Sequence, residues 1–126
     1  MNDRLVALIV EDDPGVRGTL VLFVESFPDV DILTAAGFQQ ASAMIATVAR
    51  IDLLLCDVML PGSLSGIDIA EAVAQTHPAA AIVIMSADPQ EEIAGLTDRF
   101  IFMQKPFGIA ELTDVIDNAF LRLRSD

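Results

Sequence analysis

At 126 residues, 53% of them hydrophobic, the chain is long enough for one domain with a full core and too apolar for a disordered tail. Seven Lys and Arg against 19 Asp and Glu leave a net charge of −12, and the cations are scattered, which excludes a nucleic-acid surface built on clustered basic residues. The single cysteine excludes an internal disulfide, and no apolar run approaches the ~20 residues of a membrane span.

Leu5 to Val10 is apolar without alternation, the pattern of a strand covered on both faces of a parallel sheet. It runs directly into Glu11-Asp12-Asp13, which is wrong for a signal-peptide cleavage region, so a cytoplasmic location is expected. Asp13-Pro14 reads as N-cap and first residue of a helix, striped by Val16, Leu20, Phe23, Val24 and Phe27 and ended by Pro28. Val30 to Ala35 is a second strand, less buried at Asp31 and Thr34. A second helix follows from about Phe38 to Val48, with Ala41, Met44, Ile45 and Val48 inward.

The third strand is read in the run Ile51-Asp52-Leu53-Leu54-Leu55-Cys56-Asp57, which delivers one carboxylate to its C-terminal tip and makes Cys56 a buried thiol. Leu60 to Gly66 is a loop by its Pro, Gly and Ser content. Ile67 to Thr76 forms a third helix that stops before His77-Pro78, leaving the one histidine as a helix-end surface residue. Ala81 to Met85 is a fourth strand ending in Ser86. Asp88-Pro89 with Glu91 signals a capped fourth helix, necessarily short because ten residues separate Pro89 from Phe100 and Gly95 weakens it. Phe100 to Met103 is the fifth strand, followed by Gln104-Lys105-Pro106. Gly108 and Glu111 open a last helix with the stripe Ile109, Leu112, Ile116, Phe120 and Leu123, and Arg122 and Arg124 sit at its C-terminus, where the helix dipole favours cations.

Five repeats of strand then helix predict a doubly wound α/β domain over residues 1–126, a parallel sheet with helices on both faces. In such folds the site lies beyond the C-terminal strand ends. Glu11, Asp12, Asp57, Ser86 and Lys105 all fall there. If Glu11, Asp12 and Asp57 converge within about 5 Å, each like-charge pair costs roughly 3 kcal/mol at an effective dielectric of ~20, so either their pKa values rise or a cation sits among them. All-oxygen ligands suit Mg²⁺. Lys105 offers a positive charge and Ser86 a hydroxyl to a phosphoryl group, and Asp57 can attack as a carboxylate nucleophile to form an acyl phosphate.

With these residues in place the sequence resembles the receiver domains of bacterial two-component response regulators along essentially its whole length. The matching elements are Ile9-Val10-Glu11-Asp12-Asp13, Asp57-Val58-Met59-Leu60-Pro61-Gly62, Ser86-Ala87 and Lys105-Pro106-Phe107. The resemblance implies a flavodoxin-like receiver fold with strand order 2-1-3-4-5 and five helices, the fourth short. It implies that Asp57 accepts phosphate from a histidine kinase or a histidine phosphotransfer protein. Asp12, Asp57 and the Met59 carbonyl would bind Mg²⁺ directly, with Glu11 acting through water, while Ser86 and Lys105 would hold the phosphoryl oxygens. A cis Lys105-Pro106 bond is expected. Ser86 and Phe102 would form the switch pair, Phe102 lacking the hydroxyl of the tyrosine frequent there, and Met59 and Asp88 occupy positions that tune dephosphorylation.

Two departures from the family pattern carry expectations. The stretch from Asp57 to Gly66 is about one residue longer, which should alter only a loop. The stretch from Ser86 to Lys105 is a few residues shorter, which should leave a malformed or mobile fourth helix and, because that helix with the fifth strand and fifth helix usually signals onward, an atypical output partner. The reading is a phospho-acceptor switch of a two-component system or phosphorelay, which either passes phosphate onward or acts on a downstream protein, with no output domain because the chain ends three residues after Leu123. It is not an enzyme beyond its own phosphorylation and dephosphorylation, and neither a nucleic-acid nor a membrane partner is expected. A receiver-like interaction module that never turns over phosphate is opposed by the complete residue set. A Mg²⁺-dependent phosphatase with an aspartyl nucleophile is opposed by Met59, which stands where a second general acid is needed.

Overall fold

The structure is a computed structural model that describes residues 4–60, 62 and 65–124. In chain order the elements are β1 (Leu5–Val10), α1 (Pro14–Glu25), β2 (Val30–Ala35), α2 (Phe38–Thr47), β3 (Leu53–Asp57), α3 (Gly66–Thr76), β4 (Ala81–Ser86), a 3₁₀ turn (Gln90–Glu92), β5 (Ile101–Gln104) and α4 (Ile109–Arg124). The strands form one parallel sheet in the order β2-β1-β3-β4-β5. This is the expected topology.

Successive side chains of a strand point to opposite faces, so each buried strand feeds two cores. Ala7, Ile9, Leu53, Leu55, Val83 and Met85 pack under α1 and α4 with Leu20, Val24, Leu112, Ile116 and Phe120. Leu8, Val10, Leu54, Cys56, Ile82 and Ile84 pack on the other face with Ala41 and Ile45 of α2 and Ile69, Ala70 and Val73 of α3. All five residues of β3 are buried, the consequence of a central place in the sheet, whereas β2 at the edge leaves Asp31 exposed. No helix among the described residues is long and apolar enough to cross a membrane.

Local details correct the sequence reading at several points. α1 begins as expected, with Asp13 accepting from the Gly15 and Val16 amides and Pro14 in its first turn, but it stops at Glu25. Phe27 lies beyond it and still packs edge-on against Phe23 and Phe120. Val16 and Ile109 are not core residues: they are 40% and 75% exposed, because the first turns of α1 and α4 stand on the rim of an open apolar groove rather than over the sheet. α2 stops at Thr47, with Val48 as its C-cap, and Met44 and Val48 are only partly buried at its margin. α3 starts one residue early, at Gly66, because Ser65 and Asp68 form a capping box inside what reads as loop. In that loop Pro61, Ser63 and Leu64 lie outside the described residues. His77 is partly buried, its Nε2 3.2 Å from the Ile45 carbonyl, and so joins the end of α3 to α2.

The main correction concerns the segment between β4 and β5. Instead of a fifth α-helix it holds one 3₁₀ turn closed by two backbone bonds, from Glu92 to Pro89 and from Ile93 to Gln90. The described residues thus contain four α-helices. Asp88 does not cap: its amide donates to Ser86 Oγ, and the turn starts after Pro89 with no side-chain cap. Ile93 and Leu96 pin the short segment to the α3 side of the core, and Gly95, at φ +85°, lies so close to Ile67 that a Cβ there would meet its Cγ2 at 3.0 Å. Held down at three points within ten residues, the chain has no length left to wind an α-helix. β5 is also shifted by one residue, from Ile101 to Gln104, with Phe100 buried at its entry.

Segment 90–99 has few backbone hydrogen bonds, so its amides should exchange freely. Native-state hydrogen exchange is expected to show Glu91 to Leu96 exchanging much faster than Leu20 to Glu25 of α1. Equal protection would mean that the segment is helical in solution.

Candidate functional site

Register brings the polar tips together. Val10 pairs with Cys56, Asp57 with Met85, and Ser86 with Gln104, so the residues at or just past the ends of β1, β3, β4 and β5 form one row. Two backbone bonds extend the row past the strands: the Val58 amide donates to Met85 at 3.0 Å and the Lys105 amide to Ser86 at 2.7 Å.

Asp57 is 7% exposed, Glu11 2%, and Ser86 fully buried, while Asp12 is open to solvent. Lys105 Nζ donates to Asp57 Oδ2 at 2.7 Å and to Glu11 Oε1 at 3.4 Å. The second Asp57 oxygen accepts from the Met59 amide at 2.9 Å, and Glu11 Oε2 accepts from the Asp13 amide at 3.1 Å. One carboxylate oxygen from each of Glu11, Asp12 and Asp57 lies within 4.8 Å of the others.

Three carboxylates and one ammonium leave this pocket two charges short of neutrality. Glu11 responds: burial first, and then the Asp57 charge, push its carboxyl above the ordinary value, against the opposing pull of the Asp13 amide and Lys105. For Lys105 burial is the largest influence and would lower its pKa, but the hydrogen bond and charge of Asp57, reinforced by Glu11, outweigh it and raise the net value. A set of hard oxygen donors carrying excess negative charge is what a small divalent cation needs, so the residues fit Mg²⁺.

The other expected site residues fall as follows. Ser86 Oγ accepts from the Asp88 amide at 3.0 Å; Ala87 and Asp88 are exposed. The Met59 side chain is 65% exposed. The Lys105-Pro106 bond is cis. Phe102 is half-buried on β5, pairs in register with Ile84 two residues before Ser86, and packs toward α3. Cys56 is buried with Sγ 3.4 Å from the Asp57 carbonyl; burial, then the charges of Asp57 and Glu11, push its thiol far above the ordinary range, so it offers no thiolate.

Three contributors escape the sequence reading. Gly66 is one: a Cβ there would collide with the Asp57 carbonyl oxygen, so the start of α3 presses directly on the backbone at the end of β3. Arg17 is another, its Nη1 donating to the Glu11 carbonyl at 2.7 Å. Its place four residues after Asp13, on the first turn of α1, was a usable signal. At the opposite end of the sheet buried Asp52 accepts from the Val6 amide at 2.8 Å and pairs with Arg50, locking β1 to β3.

Residues 7–117 match the family model described as the response regulator receiver domain. The transcriptional regulatory protein CitB of Klebsiella pneumoniae is 29% identical over 126 residues, covering 98% of this chain and 53% of that protein. The response regulator protein PilR of Pseudomonas aeruginosa is 30% identical over 125 residues, covering 97% of this chain and 27% of that protein. The chain therefore spans between about a quarter and about a half of the length of these relatives. Among solved structures, the signal receiver domain of an HD domain-containing protein from Pseudomonas fluorescens superposes with a TM-score of 0.84 at 19% identity, covering 99% of this chain and 93% of that one.

The raised Glu11 pKa has a definite sign. A carboxyl whose folded pKa exceeds its unfolded 4.5 contributes stability that is whole below pH 4.5 and is lost as pH rises through the folded value. Without divalent cations, the thermal midpoint of Glu11→Gln relative to wild type should therefore climb between pH 4.5 and neutrality. A difference flat across that range would show that Glu11 carries no excess repulsion.

Proposed function

The chain belongs to the response regulator receiver family, and on that premise we propose that it is a phospho-acceptor switch whose acceptor is Asp57. One observation carries the reading: a nearly buried carboxylate at the end of the central strand, with Lys105 at 2.7 Å on one oxygen and Glu11 and Asp12 oxygens within 4.8 Å. Receiver domains of response regulators are phosphorylated by histidine kinases; the donor here is a phosphohistidine on such a kinase, or on a phosphotransfer protein, in the cytoplasm.

In the transfer an Asp57 carboxylate oxygen attacks phosphorus. The new P–O bond forms as the P–N bond of the phosphohistidine breaks, and the electron pair returns to the imidazole, which takes up a proton. Phosphoryl transfer is largely positioning and electrostatics, and the residues supply both. Lys105 sits where it can follow the charge from the carboxylate to a phosphoryl oxygen, and Ser86 can turn its hydroxyl to another by releasing the Asp88 amide. Glu11, Asp12 and Asp57, with the Met59 carbonyl, would hold Mg²⁺, which supplies positive charge against the repulsion between nucleophile and phosphoryl group. Cleavage of the acyl phosphate by water returns Asp57 and inorganic phosphate.

Output follows from the same contacts. Release of the Asp88 amide frees segment 87–99 at the point where it leaves β4, and Phe102 packs against the same core face as Ile93 and Leu96 of that segment. The face formed by this segment, β5 and α4 is where the downstream protein would read the switch. That protein meets a turn and loop rather than a helix, which supports an atypical partner.

Intact mass spectrometry after incubation with a small-molecule phosphodonor and Mg²⁺ tests the reading. Wild type should gain one phosphoryl group, and neither Asp57→Asn nor wild type with chelator should gain any. Absence of the adduct in wild type, together with failure to form a beryllofluoride complex at Asp57, would overturn it.

A further inference from the structure

The acidic turn between β1 and α1 closes on itself. Glu11 Oε2 accepts from the Asp13 amide at 3.1 Å, Asp13 Oδ1 accepts from the Gly15 and Val16 amides at 2.8 and 3.1 Å, and the Asp13 carbonyl accepts from the Arg17 amide at 2.8 Å. Arg17 then reaches back over this first turn, and its Nη1 donates to the Glu11 carbonyl at 2.7 Å. The charge-assisted bond completes a ring from Glu11 to Arg17.

Asp12 lies inside that ring. It is exposed, and its carboxylate has no hydrogen bond or ion pair among the described residues. Glu11 and Asp57 are held by Lys105 and by backbone amides. Asp12 is placed by its backbone alone. On its N-terminal side that backbone is fixed by the Glu11 amide, which donates to Ala35 at 3.1 Å, and by the Glu11 carbonyl in the grip of Arg17.

We infer that Arg17 is a positioning residue for the cation site: by closing the ring it keeps the Asp12 oxygen within reach of those of Glu11 and Asp57. This rests on the reading of the three acids as a Mg²⁺ site. Electrostatics alone would give Arg17 the opposite effect on the cation. A guanidinium next to an acidic cluster repels a divalent cation, so if Arg17 acted only through its charge, removing it would tighten Mg²⁺ binding. If it acts by holding the turn, removing it weakens binding. Outer partners of metal ligands change affinity by 10–100-fold; Arg17 bonds to the backbone of a ligand rather than to a ligating atom, which points to the lower end, about tenfold.

The experiment is a titration with MgCl₂ followed by amide NMR shifts around Asp57, on wild type, Arg17→Met and Arg17→Lys, with the thermal midpoint without Mg²⁺ measured for each. Arg17→Met should bind Mg²⁺ about tenfold more weakly while its thermal midpoint stays close to wild type, since Arg17 is half-exposed and leaves no cavity. Arg17→Lys keeps the charge and one donor and should fall between the two. An Arg17→Met protein that binds as tightly as wild type or tighter overturns the inference, and so does an Arg17→Lys protein that binds no better than Arg17→Met, the order that repulsion would produce. A wild type that takes up no Mg²⁺ overturns it together with the cation reading, whereas a binding wild type with unaffected variants removes the role of Arg17 alone.

Discussion

The ion pair between Lys105 Nζ and Asp57 Oδ2, 2.7 Å long and largely shielded from water, is the contact on which the functional end of the sheet depends. A carboxylate that is 7% exposed, with two further acids within 4.8 Å, would be intolerable without a cation. Lys105 meets that need from a different strand, 48 residues away in sequence, and it also touches Glu11 across the sheet. The balance remains incomplete by two negative charges. That deficit fits a divalent ion, while burial first and then the Asp57 charge keep Glu11 reluctant to ionise.

Holding like charges close requires a stiff frame, and the frame is the centre of a parallel sheet. β3 is buried along all five residues, flanked by β1 and β4 and covered by helices on both faces. Its far end is tied to β1 by Asp52, and its near end is braced by Gly66, where α3 touches the Asp57 carbonyl so closely that any side chain would displace one or the other. Cys56 completes that packing as a small apolar group whose thiol bonds to the Asp57 carbonyl. Rigidity is thus concentrated where the repulsion is.

The opposite holds for the chain leaving β4. Ser86 is fully buried, yet its hydroxyl is engaged by the Asp88 amide, and beyond it the chain makes a single 3₁₀ turn before returning to β5. One end of this segment is therefore bonded to the buried hydroxyl at the C-terminal end of β4. The other end leads into Phe102. A segment with so little internal hydrogen bonding can shift without first breaking a helix.

Much of this was legible in the sequence because local rules governed it. Unalternating apolar runs identify strands buried on both faces, Asp13-Pro14 marks the start of α1, and the polar tips converge because parallel strands align their C-terminal ends. The family resemblance supplied the strand order, and the structure agrees. What escaped depends on contacts between segments remote in sequence or on backbone closeness, which no residue pattern encodes. Val16 and Ile109 fit their helical stripes but stand on the rim of a groove. A capping signal at Asp88 lost to the pull of Ile93, Leu96 and Gly95 on the core. Gly66 became visible only when the Asp57 carbonyl took its place, and the spacing of Asp13 and Arg17 pointed to Arg17 without showing that its target is the Glu11 carbonyl. Which groups arrive at the site follows from strand periodicity and side-chain chemistry, both of which are local. How tightly they are held, and by what, depends on distances between strands and on the burial that sharpens charge, and these exist only once the sheet is assembled.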